Sequence, residues 1–427
     1  MTLQEKDKAL IWHPFTQEKT ASPVLPIVKG EGASLFTADG KTFIDGIASW
    51  WVNLHGHSHP YIAEKIALQA RTLEHVLFAG FTHPPAIELA ERLLDLLPDT
   101  FSKVFYSDNG STSVEVALKM ALQYWYNQGE RKKTKILALE NSYHGDTFGA
   151  MAVGSRSTFT APFDPLLFEV EHLPVPRAEN LQSTIERIHL LAEKGEVAAF
   201  IFEPLVQGAA GMIMYEPEHL EQMLQVCKEH QILCIADEVM TGFGRTGRIF
   251  AIDYLKTCID IICLSKGLTG GFLPLGVTAC TKEVYNAFYA DETQKTFFHG
   301  HSYTANPLSC AAAIASMDLL QTANCQEQIK SIAQAHSSFM TAIKGHKRIK
   351  NIRQRGTILA IEIDTGEITS YFNSRRNEIY SFCINKGVLL RPLGNVIYCM
   401  PPYCIKEEEL ISIYSVIKQL LDNLSIK

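Results

Sequence analysis

Three apolar runs near the middle of the chain end on ionisable residues: AAFIF on Glu203, ILCIA on Asp237-Glu238, and IICLS on Lys266. Short runs of this kind read as strands buried on both faces of a parallel sheet. Ligands of such sheets collect outside the carboxyl ends of the strands. The three runs therefore predict a lysine and several acids around one crevice. Lys266, followed by Gly-Leu-Thr-Gly-Gly, has two readings. It is a surface lysine whose stem covers apolar neighbours, or a desolvated amine that works as nucleophile and base. An acid at an equivalent strand end, Asp237, favours the second.

A strand-end lysine with a nearby carboxylate is what pyridoxal phosphate (PLP) chemistry needs. The lysine holds the aldehyde as an imine, and the carboxylate keeps the pyridine nitrogen protonated. Asp237 fits the carboxylate role; it also reads as a cap for the turn that follows, and the two roles are compatible. A home for the phosphate is offered by NGSTSVEVALKMALQYW, where Val114, Ala117, Leu118, Ala121, Leu122 and Trp125 recur at helical spacing. Asn109-Gly110-Ser111-Thr112 opens that helix, with Thr112 and Glu115 at capping-box spacing. Free N–H groups and the helix dipole suit a phosphate there, although any capped helix looks the same. Tyr143, in NSYHGDTFGAM after the run KILAL, is placed either to face the ring or to pack on its own loop. His144 reads as a structural hydrogen-bonding residue. GFGRTGR (242–248) lacks the strand–GxGxxG–helix context of a dinucleotide site, so none is expected.

The elements that must position these groups fall into three stretches. Residues 1–55, with a hairpin around Ala38-Asp39-Gly40, form the first part of a small domain. Residues 56–310 alternate strands and helices, which predicts a large PLP-binding α/β domain with a mainly parallel sheet. Residues 311–427 carry a helix (PLSCAAAIASMDLLQ), strands (GTILAIEI, VIYCMPP) and a closing amphipathic helix (ELISIYSVIKQLL). They are expected to join residues 1–55 in one small α+β domain.

Composition agrees with an enzyme of this kind. The chain has 427 residues, 46% hydrophobic and 20% charged, with a net charge of -7. That balance gives no electrostatic reason to expect nucleic acid or anionic lipid. No apolar run approaches the roughly 18–20 residues of a membrane span. The start, MTLQEKDKALIWHPF, has charges where a secretion signal needs an apolar stretch, so a cytoplasmic protein is expected. All ten cysteines lie from Cys227 onward and none forms a CxxC pair. Cys399 and Cys404 lack a second pair for zinc, so no metal is expected and the thiols read as structural and reduced.

Taken in order, NGSTSVEVALKMA, SYHGDTFGAM, FEPLVQGAAGM, ADEVMTGFGRTG, LSKGLTGG and HGHSYTANPLSCAAA resemble the class III, fold type I PLP-dependent aminotransferases. The resemblance covers nearly the whole chain. It implies Lys266 as Schiff-base lysine and proton carrier, Asp237 on the pyridine nitrogen, and Gly110 and Ser111 on the phosphate. Tyr143 would stack on the ring and border the substrate. Ser302, reaching from the partner subunit of a homodimer, would add a phosphate contact beside His301. Trp50 and Gly300 would line the substrate cavity, and Arg391 in LLRPLG would hold a carboxylate. WHPFTQ, ASWWVNLHGHSHP, ALQYW and RPLGNVIYCMPPY look like the branch of the family that converts 8-amino-7-oxononanoate to 7,8-diaminononanoate in biotin biosynthesis.

Two positions depart from that branch. Phe15 stands where its S-adenosylmethionine users carry a tyrosine, so a hydroxyl toward the oxo-acid is missing from the substrate site. The same relatives have Pro-Thr in place of His301-Ser302, a pair shared with relatives that use lysine and with other class III ω-amine aminotransferases. Trp50-Trp51 favours the S-adenosylmethionine type. The expectation is transamination with S-adenosylmethionine as donor; the alternatives are lysine as donor or another ω-amine substrate. A PLP-binding regulator would need a DNA-binding module for which the chain has no basic segment.

Overall fold

In the computed structural model, which describes residues 1–424, the apolar runs become the centre of a seven-stranded sheet. Its strands are β1 (Phe101–Ser107), β2 (Lys135–Leu139), β3 (Val170–Leu173), β4 (Val197–Phe202), β5 (Leu233–Asp237), β6 (Ile261–Leu264) and β7 (Gly276–Thr281). Their spatial order is β1-β7-β6-β5-β4-β2-β3. Strands β6, β5, β4, β2 and β3 pair in parallel. Strand β7 runs antiparallel to both of its neighbours, β6 and β1. This is the mainly parallel α/β arrangement that the strand–helix alternation predicts.

Side-chain alternation along the strands explains why the central runs are apolar throughout. Phe200, Phe202, Cys234, Ala236, Ile262 and Leu264 join one core with helices Leu181–Ala192 and Pro217–Glu229. Their in-between neighbours Ala199, Ile201, Ile235, Ile261 and Cys263 join another with Val114, Ala117 and Ala121 of α1 (Gly110–Asn127). Successive residues point to opposite faces, both faces are covered, and no polar side is left. Only the strand ends remain free to carry polar groups.

The terminal stretches meet. Thr42–Asp45 follows the expected hairpin, with Gly40 at φ +83° in the turn, and pairs in parallel with Val388–Leu389 near the other end of the chain. A separate antiparallel sheet joins Ile349–Arg355, Ile358–Ile363 and Val396–Cys399. The closing helix, Glu407–Asn423, buries Leu410, Ile413, Ile417 and Leu420. The division expected after residue 310 is not a break in the chain. It falls inside helix Pro307–Leu320, whose buried small residues Ala312, Ala313 and Ala315 let it pack on Pro60–Thr72 and Pro84–Leu96. A pattern of small residues marks a close helix contact there, which a reading based on strand–helix alternation does not see. Among the described residues no helix is long and apolar enough to cross a membrane.

Candidate active site

The carboxyl ends of β4, β5 and β6 open into a cavity of about 640 Å³. Lys266 borders it, at the start of a single helical turn, Lys266–Thr269, that follows β6. Its backbone is left-handed, φ +43°, a conformation that costs a non-glycine residue free energy and persists only when neighbours enforce it. Three contacts do so. The Ser265 hydroxyl donates to the Leu275 carbonyl at 2.7 Å, Gly267 packs on Leu54, and Gly271, at φ +86°, packs on the Asn53 backbone. The amine itself is enclosed, with Nζ 4.4 Å from the centre of the Trp51 ring. Burial lowers its pKa to about 8, against the opposing pull of Asp237 and Glu203. A lysine in that range exchanges a proton readily near neutral pH.

Asp237 is buried and held on both oxygens. Oδ1 accepts from the Val239 N–H at 3.0 Å, which is the capping contact foreseen for it, and Oδ2 accepts from His144 Nδ1 at 2.7 Å. His144 is buried as well, and its Nε2 has no partner among the described residues. The Glu203 carboxylate accepts from the N–H groups of Tyr143 (3.0 Å) and Gly208 (2.9 Å). Burial pushes its pKa up to about 7; Asp237 adds to the rise and His144 opposes it. Tyr143 lines the cavity, and burial, followed by Asp146, raises the pKa of its hydroxyl.

Gly110 and Ser111 also line the cavity, in the first turn of α1, where N–H groups have no intrahelical acceptor. The capping box lies one turn earlier than the expected Thr112–Glu115 pair. Asn109 Oδ1 accepts from the Thr112 N–H at 3.0 Å, and Thr112 Oγ1 accepts from the Asn109 N–H at 3.1 Å. Glu115 is used instead to cap a second helix, accepting from Gly149 at 2.7 Å and Ala150 at 3.1 Å. Two glycines keep the mouth of this helix clear. A Cβ on Gly145 would lie 2.2 Å from Ser111 Oγ, and one on Gly110 would lie 2.6 Å from Val239 Cγ1.

A lysine amine, a carboxylate fixed by a histidine, and a glycine-lined helix N-terminus thus share one cavity. These residues fit PLP, and the unpartnered buried His144 Nε2 marks a place where a polar group is missing from the chain's own hydrogen bonding.

The remaining predicted residues lie elsewhere. Phe15, Trp50 and Arg391 form a separate cluster, the rim, which is not part of the cavity lining and connects to it through Trp51, the chain neighbour of Trp50. The Phe15 and Trp50 rings are 5.7 Å apart, and the Arg391 guanidinium sits 4.7 Å from the Trp50 ring centre. Consecutive left-handed residues, Ala48 (φ +50°) and Ser49 (φ +60°), followed by Trp51 (φ +69°), send the two tryptophans apart. Trp50 stays 41% exposed, whereas Trp51 is buried and donates from Nε1 to the Tyr398 hydroxyl at 2.9 Å. Asp45 fixes this kink by accepting from the Ser49 N–H at 2.7 Å. Gly300, His301 and Ser302 do not line the cavity of the single chain. Sequence reasoning places Glu203 at the crevice without a role and reads His144 only as a hydrogen-bonding residue; the signal for Glu203 is its position directly after β4, matching Asp237 at the end of β5.

Comparison with known proteins agrees with this site. Residues 15–421 match the aminotransferase class-III family. An adenosylmethionine-8-amino-7-oxononanoate aminotransferase from Synechococcus elongatus is 49% identical over 97% of this chain and 99% of its own length. One of the same name from Geobacter sulfurreducens is 40% identical over 96% and 95%. The crystal structure of the Methanocaldococcus jannaschii enzyme of that name superposes with a TM-score of 0.92 at 38% identity, covering 98% of both chains. An amine transaminase from an uncultivated Pseudomonas species, solved in its PLP-bound form, gives 0.89 at 30% identity over 97% and 99%. The chain belongs to the class III aminotransferases, and pyridoxal phosphate is its cofactor.

Proposed function

We propose that the chain aminates 8-amino-7-oxononanoate to 7,8-diaminononanoate, a step of biotin biosynthesis, with S-adenosylmethionine as amino donor. The observation that carries this reading is the rim cluster, with the Arg391 guanidinium stacked on Trp50 beside Phe15. A long oxo-acid has its carboxylate at one end and its reacting carbon at the other. A guanidinium at the rim and an amine in the floor answer to those two ends. The adenine and sulfonium of the donor ask for aromatic walls, which Trp50, Trp51 and Tyr143 supply. The names of the relatives at 49% and 40% identity support the same substrates.

PLP supplies an electron sink that makes the proton beside the transferred nitrogen removable. Lys266 would take that proton and return it to the carbon on the other side of the transferred nitrogen, a task suited to an amine whose pKa lies at about 8. Asp237, oriented by His144, keeps the pyridine nitrogen protonated. Gly110 and Ser111 bind the phosphate, and Tyr143 faces the ring and borders the substrate. The donor leaves as its oxo product before the oxo-acid enters.

Two copies of the chain pair in this reading, so that His301 and Ser302 of each complete the other's phosphate site and Gly300 its substrate cavity. Exposed aromatics around that loop, Phe298 at 70% and Tyr303 at 66%, support it, as does His301 Nε2, an enclosed atom with no partner among the described residues. Ten free cysteines, eight of them buried, fit the cytoplasm as the site of action.

The test is to incubate the PLP-loaded protein with 8-amino-7-oxononanoate and S-adenosylmethionine, lysine or 4-aminobutyrate in turn, and to identify products by mass. Diaminononanoate from S-adenosylmethionine alone is expected. Its formation from lysine and not from S-adenosylmethionine would overturn the donor; no diamine with any donor would overturn the acceptor. Sedimentation as a monomer at micromolar concentration would remove the shared site.

A further inference from the structure

Glu203 lies buried in the cavity wall at the end of β4, and no cation stands at ion-pair distance from it among the described residues. Its two oxygens divide two tasks. Oε1 accepts from the N–H of Tyr143 at 3.0 Å, and Oε2 from that of Gly208 at 2.9 Å. Gly208 in turn is the surface on which Trp51 rests: a Cβ there would stand 3.1 Å from the indole ring. The same ring lies 4.4 Å from Lys266 Nζ. Gly208 belongs to a short hairpin, Val206–Gln207 with Ile213–Met214, braced from outside by Arg353, whose Nε donates to the Met212 carbonyl at 2.6 Å. One carboxylate therefore ties together three loops that border the amine.

We propose that Glu203 is a positioning residue for the reaction at Lys266: its ionised carboxylate holds Tyr143 directly, and Trp51 through Gly208, against the amine. The proposal rests on Lys266 being the reacting group and does not depend on which donor or oxo-acid is used.

The charge is needed because two separate N–H donors each require an acceptor. A carboxylate offers one on each oxygen; a protonated carboxyl or a glutamine amide offers only one good acceptor. The groups that face Glu203 are Asp237, His144, Tyr143 and Lys266, together with Tyr215, whose hydroxyl donates to the Glu203 carbonyl. Burial and Asp237 favour the neutral acid, while His144 and the two N–H groups favour the anion, and the balance falls at about 7. As the pH falls through that value Glu203 takes up a proton, one of the two bonds is lost, and the alignment around Lys266 loosens.

The experiment compares Glu203→Gln and Glu203→Asp with the unaltered enzyme. A single half-reaction is followed with any amine that the unaltered enzyme accepts, so that an error in substrate assignment leaves the test intact. Glu203→Gln is expected to lower the rate about 10- to 100-fold, the scale of a small misplacement of reacting groups, with little change in KM. The unaltered enzyme should lose rate on the acid side through two ionisations, Glu203 and Lys266, and the Gln variant through one. Glu203→Asp, which keeps the charge, should retain the steeper limb and so serves if the Gln variant does not fold. In the protein without cofactor, amide exchange at Tyr143 and Gly208 should rise at least tenfold in Glu203→Gln, with β2 and β5 unchanged. An unaltered pH profile together with unaltered exchange at those two amides would overturn the proposal, as would a shallow limb in Glu203→Asp.

Discussion

The floor of the cavity and its rim are built by opposite means. At the floor, Lys266, Asp237 and Glu203 come from neighbouring strand ends and are enclosed by protein, and the two carboxylates take hydrogen bonds from backbone N–H groups or His144. At the rim, Phe15, Trp50 and Arg391 come from segments outside the sheet; Arg391 lies over the Trp50 ring and Phe15 meets that ring at a tilt, with Phe15 49% exposed. Burial magnifies electrostatic interactions, so the floor suits chemistry common to every substrate. An exposed, stacked rim can change residue by residue without disturbing the sheet, which suits the choice of substrate. Floor changes should abolish reaction with all substrates; rim changes should alter which substrate is used.

The largest effect belongs to Lys266→Ala. It should lose the visible absorbance of lysine-linked cofactor and all multiple turnover, while still binding PLP noncovalently. If borohydride still fixed PLP to the variant, the anchor would lie on another lysine and the floor would be wrongly drawn. Asp237→Asn comes next, slowing both half-reactions by orders of magnitude, since a charge partner in a dry site is worth several kcal/mol. Near-normal single-turnover rates would reduce Asp237 to the cap of its own turn.

Arg391→Ala tests the rim. It should raise KM for the oxo-acid about 30- to 100-fold, the value of a hydrogen bond to a charged group, and leave the donor half-reaction within a few fold. Equal damage to both halves would mean that Arg391 is structural and would erase the distinction between floor and rim. Phe15→Tyr is the mildest. One restored hydroxyl, worth about 1 kcal/mol, should lower KM for the oxo-acid about fivefold. A gain confined to the donor would place Phe15 on the wrong substrate.

Most of the floor was legible in sequence because its residues sit at the ends of apolar runs, and a run that must be apolar on both faces can carry polar groups only there. Lys266 and Asp237 followed from that rule; the Gly110-Ser111 turn was read instead from the helix it opens. Glu203 met the same rule, yet its partners are backbone N–H groups of Tyr143 and Gly208, which leave no mark in residue type. His144 was legible as a hydrogen-bonding residue but its partner was not: its bond to Asp237 reaches from the loop after β2 to the end of β5, across the end of β4. The capping box was displaced because both boxes need the Thr112 N–H, which Asn109 takes, and Glu115 has a second helix to serve. At the rim, Arg391 and Trp50 were identified through resemblance, whereas their stacking on each other was not foreseen. His301 and Ser302 could not be placed by one chain at all.

Strand β7 has a consequence for how the protein comes to be made. It lies between β6, which leads to Lys266, and β1, which leads to Gly110 and Ser111, and Gly276 of β7 pairs with Ser107 of β1. On a ribosome, the Gly110-Ser111 turn emerges early, yet it cannot settle beside the lysine until β7 has been synthesised. Contacts so distant in sequence must first overcome the entropy of closing a long loop, and they form slowly. Bound cofactor then adds to the stability of the finished fold by mass action on the native state.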